Sequence, residues 1–172
     1  ITTVGATPKE IEAYKVFKQT MTADDILSGK KFPGRKIVII GGGSVGCETA
    51  DYLAPLINDL FSTNRDITLI EMTNGLMTGE SGATKSLLTR RMMEKGVKIE
   101  LNSKITYVDE TTIKYEKNNQ EYVLNDVDTL VFAVGYQPIS SPIENAHLIG
   151  DCQKVGTLKD AITQAYQITK EI

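Results

Sequence analysis

The chain has 172 residues, 41% of them hydrophobic, which fits one ordinary folded domain, either alone or with pieces of a neighbour. Its net charge of −3 provides no diffuse positive field, so nucleic acid is not expected as a partner. No apolar run approaches the roughly 20 residues that span a bilayer, and no signal-peptide pattern is present, so we expect a cytoplasmic protein with no membrane partner.

The first 34 residues hold little regular patterning. The chain opens with the apolar stretch Ile1–Val4 and lacks an initiator Met, which suggests a fragment whose first strand follows something upstream. A helical turn is predicted over Ala23–Leu27, ended by Ser28 and Gly29. We expect this flank to belong to a different part of the protein from the segment that follows it.

A buried strand is predicted over Arg35–Ile40, because its run of β-branched residues shows no polar alternation. The strand ends in three glycines, and from Ser44 apolar residues recur at threes and fours, as on one face of a helix. Pro55 is expected to break that helix, since proline removes a backbone donor and clashes with the preceding turn. A second short helical piece is predicted over Leu56–Phe61.

The next buried strand is predicted over Asp66–Glu71, which closes a right-handed strand–helix–strand unit. A helix follows over Thr84–Lys95, with Gly96 well placed as its C-terminal cap. The apolar period then changes to two, which predicts an antiparallel meander of short strands. These strands are Val97–Leu101, Lys104–Val108, Thr112–Tyr115 and Tyr122–Leu124.

A final buried strand of the parallel type is predicted over Thr129–Val134, and the flank after it carries a short strand at Ala146–Ile149 and a helix from about Thr157. The order of elements predicts the α/β class: a Rossmann-like nucleotide-binding domain with a parallel sheet, helices and a β-meander. We place this domain at residues 36–135 and treat residues 1–35 and 136–172 as flanking segments.

The glycines form the pattern Gly41-x-Gly43-x-x-Gly46 between a strand and a helix. In this context the first glycine permits the tight turn and the second lets backbone amides approach a pyrophosphate. The third allows close packing of helix on strand, and the helix start at Ser44 supplies unpaired N–H groups and a positive dipole end. The turn therefore predicts a dinucleotide site.

An acidic residue is expected at the end of the second strand, where its carboxylate accepts hydrogen bonds from both hydroxyls of the adenosine ribose. Glu71 lies there, and the next residues, Met72 and Thr73, include no arginine. A 2'-phosphate would therefore meet an uncompensated negative charge. The sequence predicts a preference for NAD(H) over NADP(H).

Several motifs together resemble the C-terminal portion of the NADH:flavin oxidoreductases of the 2,4-dienoyl-CoA reductase and enoate reductase type, relatives of Old Yellow Enzyme. The resemblance covers nearly the whole chain. The segments that carry it are VIIGGGSVGCETA (Val38–Ala50), LIEM (Leu69–Met72), LLTRRMMEKGVKI (Leu87–Ile99), DTLVFAVGYQP (Asp128–Pro138) and LIGDC (Leu148–Cys152).

In that family an FMN barrel and an iron–sulfur cluster precede an FAD domain into which an NAD(P)H domain is inserted. The resemblance implies that electrons pass from NADH to FAD, through the cluster to FMN, and on to an activated C=C. Residues 36–135 would be the insert, and both flanks would be pieces of a split FAD-binding domain. Gly5 and Ala6 would then lie at the family's ATG-like turn.

The cofactor-binding residues follow from the turn, the acid and the resemblance. Gly150 and Asp151 match a motif that contacts the flavin, whereas the nicotinamide dinucleotide is assigned to Gly41, Gly42, Gly43, Ser44, Val45, Gly46, Glu48, Glu71, Met72, Ala133, Val134 and Gly135. No catalytic residue is assigned. The FAD-binding Gly-rich motif, the barrel and the cluster cysteines are expected upstream, in the remainder of the parent polypeptide. We therefore expect the fragment alone to hold FAD poorly and to be inactive.

Other chemistries have weaker support. Cys47 beside Glu48 could suggest a redox thiol, but no dithiol pattern accompanies it, and a small buried residue explains it better. Glu48 could either stabilise the helix N-terminus by its charge or face the nicotinamide. His147 is the only histidine and no Cys-x-x-Cys pair is present, so no metal site is predicted.

Two alternatives from other classes stay open. The pairs Tyr14/Lys18 and Tyr166/Lys170 imitate the Tyr-x-x-x-Lys pair of short-chain dehydrogenases, although the TGxxxGxG turn of that family is missing. A stand-alone NAD-sensing or regulatory domain would bind the dinucleotide without chemistry. The meander and the Gly150–Asp151 motif argue against such a sensor.

Overall fold

The computed structural model describes residues 1–55 and 64–170, so the helical piece predicted over Leu56–Phe61 lies outside the described residues. The strands in the described part are β1 Ala6–Pro8, β2 Thr20–Thr22, β3 Lys36–Ile40, β4 Asp66–Ile70, β5 Lys98–Glu100, β6 Ser103–Val108, β7 Ile113–Lys117, β8 Gln120–Leu124, β9 Thr129–Phe132 and β10 Tyr136–Pro138. The helices are α1 Ala23–Leu27, α2 Ser44–Leu53, α3 Gly82–Glu94 and α4 Leu158–Ile168, with 3₁₀ turns at Glu12–Tyr14 and Gly150–Cys152.

The chain folds into two compact units. One spans Glu10–Gly135, and the other combines Ile1–Lys9 with Tyr136–Ile172. The larger unit thus begins before residue 36, the predicted start of the domain, because β2 joins its central sheet and Ile26 of α1 packs into its core. The assignment of the units to an NAD(H) domain and a split FAD domain stays a prediction.

The larger unit is built on a five-stranded sheet in the order β2-β9-β3-β4-β5, in which every pairing is parallel. β3 lies at the centre, and its residues Ile37–Ile40 are buried. Successive side chains of a strand point to opposite faces. Accordingly, Ile37 and Ile39 enter the hydrophobic cluster that contains Leu53 of α2, whereas Val38 and Ile40 enter the cluster that contains residues of the meander. This arrangement confirms the predicted Rossmann-like α/β fold.

The meander is a separate antiparallel sheet in the order β6-β7-β8. The prediction that Val97–Leu101 forms its first strand was wrong. That segment contains β5, which pairs in parallel with β4 as the edge of the central sheet. A three-residue strand carries too little pattern to separate parallel from antiparallel pairing, and the crossover through α3 is what brings β5 beside β4.

Helix α2 ends where the sequence predicts a break. Leu53 is its last residue, and Ala54 has the extended ψ of 140° that a residue before proline adopts. α2 is tied to α3 through Asp51, whose carboxylate pairs with Arg91 and, at 2.9 Å, with Lys95. Burial alone raises the pKa of Asp51, but the hydrogen bonds from these two cations outweigh it and hold that pKa below its usual value.

The smaller unit contains an antiparallel pair, β1 with β10, and a single bridge between Thr2 and Leu148. The strand predicted at Ala146–Ile149 is therefore present only as this bridge. α4 begins as predicted, since Thr157 caps its N-terminus and Asp160 completes a capping box. None of the helices in the described ranges is long and apolar enough to cross a membrane.

Candidate functional site

The glycine turn connects the carboxyl end of β3 to the start of α2. The Gly41 amide donates a hydrogen bond to the Ile70 carbonyl of β4, and the Ala133 amide that follows β9 donates to the Ile40 carbonyl, both at 2.9 Å. The ends of three neighbouring strands are thus locked together beneath the turn. In open α/β sheets this is the edge at which ligands bind.

Two glycines of the turn are required by the packing of the chain itself. Gly41 has a φ of +104°, which a side chain strains, and an added Cβ would overlap the Ala133 carbonyl oxygen. At Gly46 an added Cβ would overlap the Gly41 carbonyl oxygen. These contacts explain how α2 can pack so closely on the end of the strand.

Gly43 differs from these two. Its φ of −69° and ψ of −179° are ordinary values for any residue, and an added Cβ would meet no heavy atom of the chain within 4 Å. Gly43 is also the N-cap of α2, and no side chain caps that helix. The amides of the first turn therefore receive no acceptor from the N-cap residue, and they form the positive end of the helix dipole.

Glu71 lies against the turn. Its carboxylate accepts hydrogen bonds from the Gly42 amide at 2.6 Å and from the Thr73 amide at 2.8 Å. Burial by itself raises the pKa of Glu71, but these hydrogen bonds reverse the effect and bring the pKa below its usual value. The group is therefore an anion held in a fixed position beside the mouth of the turn.

A second carboxylate at the turn was missed by the sequence reasoning. Glu80 accepts a hydrogen bond from the Ser44 hydroxyl at 2.8 Å, across a gap of 36 residues. Glu80 lies in an irregular loop between β4 and α3, where no periodicity applies. The only local signal is Ser81, which caps α3 and so fixes where this loop ends.

The remaining predicted residues of the larger unit lie around the same edge of the sheet. Ala133 lies directly under the turn, and Val134 packs against the cluster that contains the meander. Gly135 ends the unit with a φ of +90°. Glu48 and Met72 are exposed, and the Met72 amide donates a hydrogen bond to the Glu71 carboxylate, while Val45 is half-buried in the first turn of α2.

Gly150 and Asp151 belong to the smaller unit. They line a cavity of about 320 Å³ together with Gly5, Thr157 and Ala161. The Asp151 carboxylate accepts a hydrogen bond from the Gly156 amide at 3.1 Å, and the Gly150 amide donates to the Gln164 side chain at 2.6 Å. The two residues predicted to contact flavin therefore do face a common open space.

The geometry gives no support to a reactive thiol or to a metal centre. Burial, followed by the negative charges of Glu71 and Glu48, raises the pKa of Cys47 to about 12, and its thiol donates to the Gly42 carbonyl at 3.5 Å. Thiol reactivity requires the thiolate, which this environment disfavours. No group of three or more potential metal ligands occurs within residues 1–55 and 64–170.

Both Tyr/Lys pairs are engaged in other contacts. The Tyr14 hydroxyl lies 3.5 Å from the Ile105 carbonyl, and Lys18 forms an ion pair with Asp128. The Lys170 ammonium group lies over the ring of Tyr166, 4.3 Å from its centroid, and so contacts the face of the ring rather than the hydroxyl group. These positions explain the pairs as structural contacts rather than a short-chain dehydrogenase site.

The sequence of residues 2–165 matches the family model of the pyridine nucleotide-disulphide oxidoreductases. The chain belongs to this family. Curated relatives include the cinnamate reductase of Clostridium sporogenes, 30% identical over 181 residues that cover 98% of this chain and 25% of the relative. The metal reductase of Desulforamulus reducens is 29% identical over 184 residues, covering 86% of this chain and 26% of the relative.

Solved structures of similar fold include a 2-naphthoyl-CoA reductase, with a TM-score of 0.77 and 21% identity over 99% of this chain and 26% of that chain. Histamine dehydrogenase from Rhizobium sp. 4-9 also has a TM-score of 0.77, with 12% identity over 99% of this chain and 30% of that chain. These likenesses confirm the fold. The chain spans about a quarter of the length of the two curated relatives.

The matches confirm the resemblance to the NADH:flavin oxidoreductases of the enoate reductase type. They support a flavin-dependent redox function and the binding of FAD and a nicotinamide nucleotide, as expected of a pyridine nucleotide-disulphide oxidoreductase. The family that matches is not that of the short-chain dehydrogenases.

Proposed function

We propose that the Glu10–Gly135 unit binds NADH in a flavin oxidoreductase that passes a hydride from NADH to FAD and uses its two electrons to reduce an activated C=C of the enoate or enoyl-CoA type. The residues of this chain bind and orient the dinucleotide. Bound NADH supplies the hydride. FAD is held with the help of the smaller unit, and FMN and an iron–sulfur cluster belong to the remainder of the parent polypeptide.

The proposal rests on one observation, the open space next to Gly43. The chain needs glycine at Gly41 and Gly46 to avoid overlap with its own backbone, but it has no such need at Gly43. An absent side chain at an uncapped helix N-terminus leaves room for a group from outside the chain. A diphosphate fits this room, because backbone N–H groups and the helix dipole both favour an anion there.

Glu71 supports the choice of NADH over NADPH. A carboxylate offers about four acceptor sites, and the Gly42 and Thr73 amides use two of them. The Thr73 hydroxyl and the Met72 amide also contact this carboxylate, and the two ribose hydroxyls would take their place. A 2'-phosphate brought to the same place would instead be repelled by a carboxylate that is held in its charged form.

The binding proposal is tested by calorimetric titration of the 172-residue chain with NADH and with NADPH. The wild type should bind NADH more tightly than NADPH. Glu71→Gln, which removes the charge at nearly constant size, should weaken NADH binding by about tenfold, the value of one hydrogen bond to a charged group. In the same variant the affinities for NADH and NADPH should differ less, since the 2'-phosphate of NADPH no longer meets a negative charge.

Glu116→Gln is the matched control, because Glu116 is an exposed carboxylate on β7 and its substitution changes the net charge equally. It should leave both affinities unchanged. Equal affinity of the wild type for the two nucleotides, or an unchanged NADH affinity in Glu71→Gln, would contradict the proposed role of Glu71. If neither nucleotide binds, the proposed function itself is contradicted.

A further inference from the structure

The Glu80 carboxylate lies beside the start of α2. Its oxygen is 2.8 Å from the hydroxyl of Ser44, the first residue of α2. This helix start has no side-chain cap and adjoins the open space at Gly43. The positive end of the helix dipole attracts any anion, whether it is a side chain of the protein or the diphosphate of a ligand.

The loop that carries Glu80 is anchored independently of that carboxylate. Leu76 and Met77 are 4% and 2% exposed, and the Met77 amide donates to the Gly42 carbonyl at 2.7 Å. Ser81 then caps α3. Glu80 itself is exposed, so its side chain can rotate away from Ser44 while the loop backbone stays in place.

We propose that Glu80 is a built-in competitor of the diphosphate: in the free protein its carboxylate engages the Ser44 hydroxyl at the start of α2, and it leaves when NADH binds. This inference rests on the proposed function and adds a determinant of affinity to it. Glu71 and Glu80 then act in opposite directions. The first accepts hydrogen bonds from the ligand, and the second opposes its phosphates by charge and by occupying the same hydroxyl.

The expected effect is modest because Glu80 is exposed. Two unit charges about 4 Å apart in water interact by about 1 kcal/mol, which corresponds to roughly a fivefold change in affinity. Removing the charge should therefore tighten NADH binding by roughly fivefold. Salt screens charges at this surface, so the gain should shrink as ionic strength rises from about 0.01 M to 1 M.

Calorimetric titration of the wild type, Glu80→Gln and the charge-matched control Glu116→Gln with NADH tests the inference. Glu80→Gln should bind NADH about fivefold more tightly at low salt, and the control should bind like the wild type. Equal or weaker binding by Glu80→Gln would overturn the inference, while the proposed function would stand on the wild-type affinity. If the wild type binds no NADH, both proposals fail.

Coupling to Ser44 separates competition at the helix from a general effect of charge. In a Ser44→Ala background the Glu80 carboxylate loses the donor that holds it at α2. The gain from Glu80→Gln should therefore fall to less than about twofold in this background, as contacting residues are not additive. A gain of the same size with and without the Ser44 hydroxyl would refute the competitor role. Circular dichroism and a thermal scan verify that each variant is folded.

Discussion

Substitution of Gly43 by alanine should separate binding from folding. An alanine Cβ at this position meets no heavy atom of the chain within 4 Å, and the φ of −69° suits it. Alanine is a poorer N-cap than glycine, by about 0.5–1 kcal/mol, but it restricts the unfolded chain by a similar amount. The unfolding free energy should therefore change by less than about 0.5 kcal/mol, or less than about 2 °C in Tm.

The effect on NADH should be much larger. An N–H···O contact to a phosphate is about 2.7–2.9 Å long, whereas a methyl carbon holds neighbouring atoms at about 3.5 Å or beyond. The new methyl group should thus prevent at least one hydrogen bond to the diphosphate. A hydrogen bond to a charged group contributes about 1.5–3 kcal/mol, so the affinity should fall roughly ten- to hundredfold.

The assay pairs calorimetric titration with NADH and a thermal melt of the same samples. Gly82→Ala is the matched control, because Gly82 also opens a helix, has ordinary φ, and has no heavy atom near an added Cβ. It should bind NADH like the wild type. Gly46→Ala should instead destabilise the fold. Its Cβ overlaps the Gly41 carbonyl oxygen, so the free energy of unfolding should fall by about 1–3 kcal/mol. Wild-type NADH affinity in Gly43→Ala would refute the idea that the space at Gly43 receives a ligand.

Two further predictions concern residues of helix α2. Asp51→Asn should destabilise the chain by about 3 kcal/mol in urea unfolding, since it leaves Lys95, with only 12% of its side chain exposed, beside a neutral partner. Because the pKa of Asp51 is lowered, its contribution to the free energy of unfolding is complete above the unfolded pKa of about 3.9 and is lost as pH falls through the folded pKa. Asp51→Asn should abolish this part of the loss of stability in acid. An unchanged dependence of stability on pH would contradict the reasoning. Cys47, with its pKa raised to about 12, should resist iodoacetamide at pH 8 in the folded protein and react in guanidinium; mass-spectrometric detection of native labelling would disprove its burial.

The parts of the fold that the sequence predicts well are those with strong local causes. β3, β4 and β9 lie where continuous β-branched runs indicate strands buried on both faces. The end of α2 before Pro55 follows from the missing backbone donor. Gly96, with a φ of +82°, follows α3 as a left-handed cap should.

The parts that the sequence does not predict depend on contacts distant along the chain. β2 has three residues and is a strand because it pairs with β9, more than 100 residues later. β5 is likewise assigned by its partner β4 rather than by its own pattern. Glu80 reaches Ser44 from a loop whose backbone is anchored at Gly42 through Met77. Periodicity describes the face of an element, and it says nothing about which loop side chain reaches a turn.

The two carboxylates at the turn differ in what holds them, and this difference explains their opposite proposed effects. Glu71 is tied by the Gly42 and Thr73 amides, so its position and charge are set before any ligand arrives, and binding requires no further ordering of that side chain. Glu80 is exposed, and its carboxylate is held by the Ser44 hydroxyl, a contact that a diphosphate can replace. Loss of charge should therefore weaken NADH binding at Glu71 and strengthen it at Glu80. Electrostatic repulsion between the ligand and acidic residues in general would predict strengthening at both positions, so the pair of variants distinguishes a built acceptor from a displaceable one.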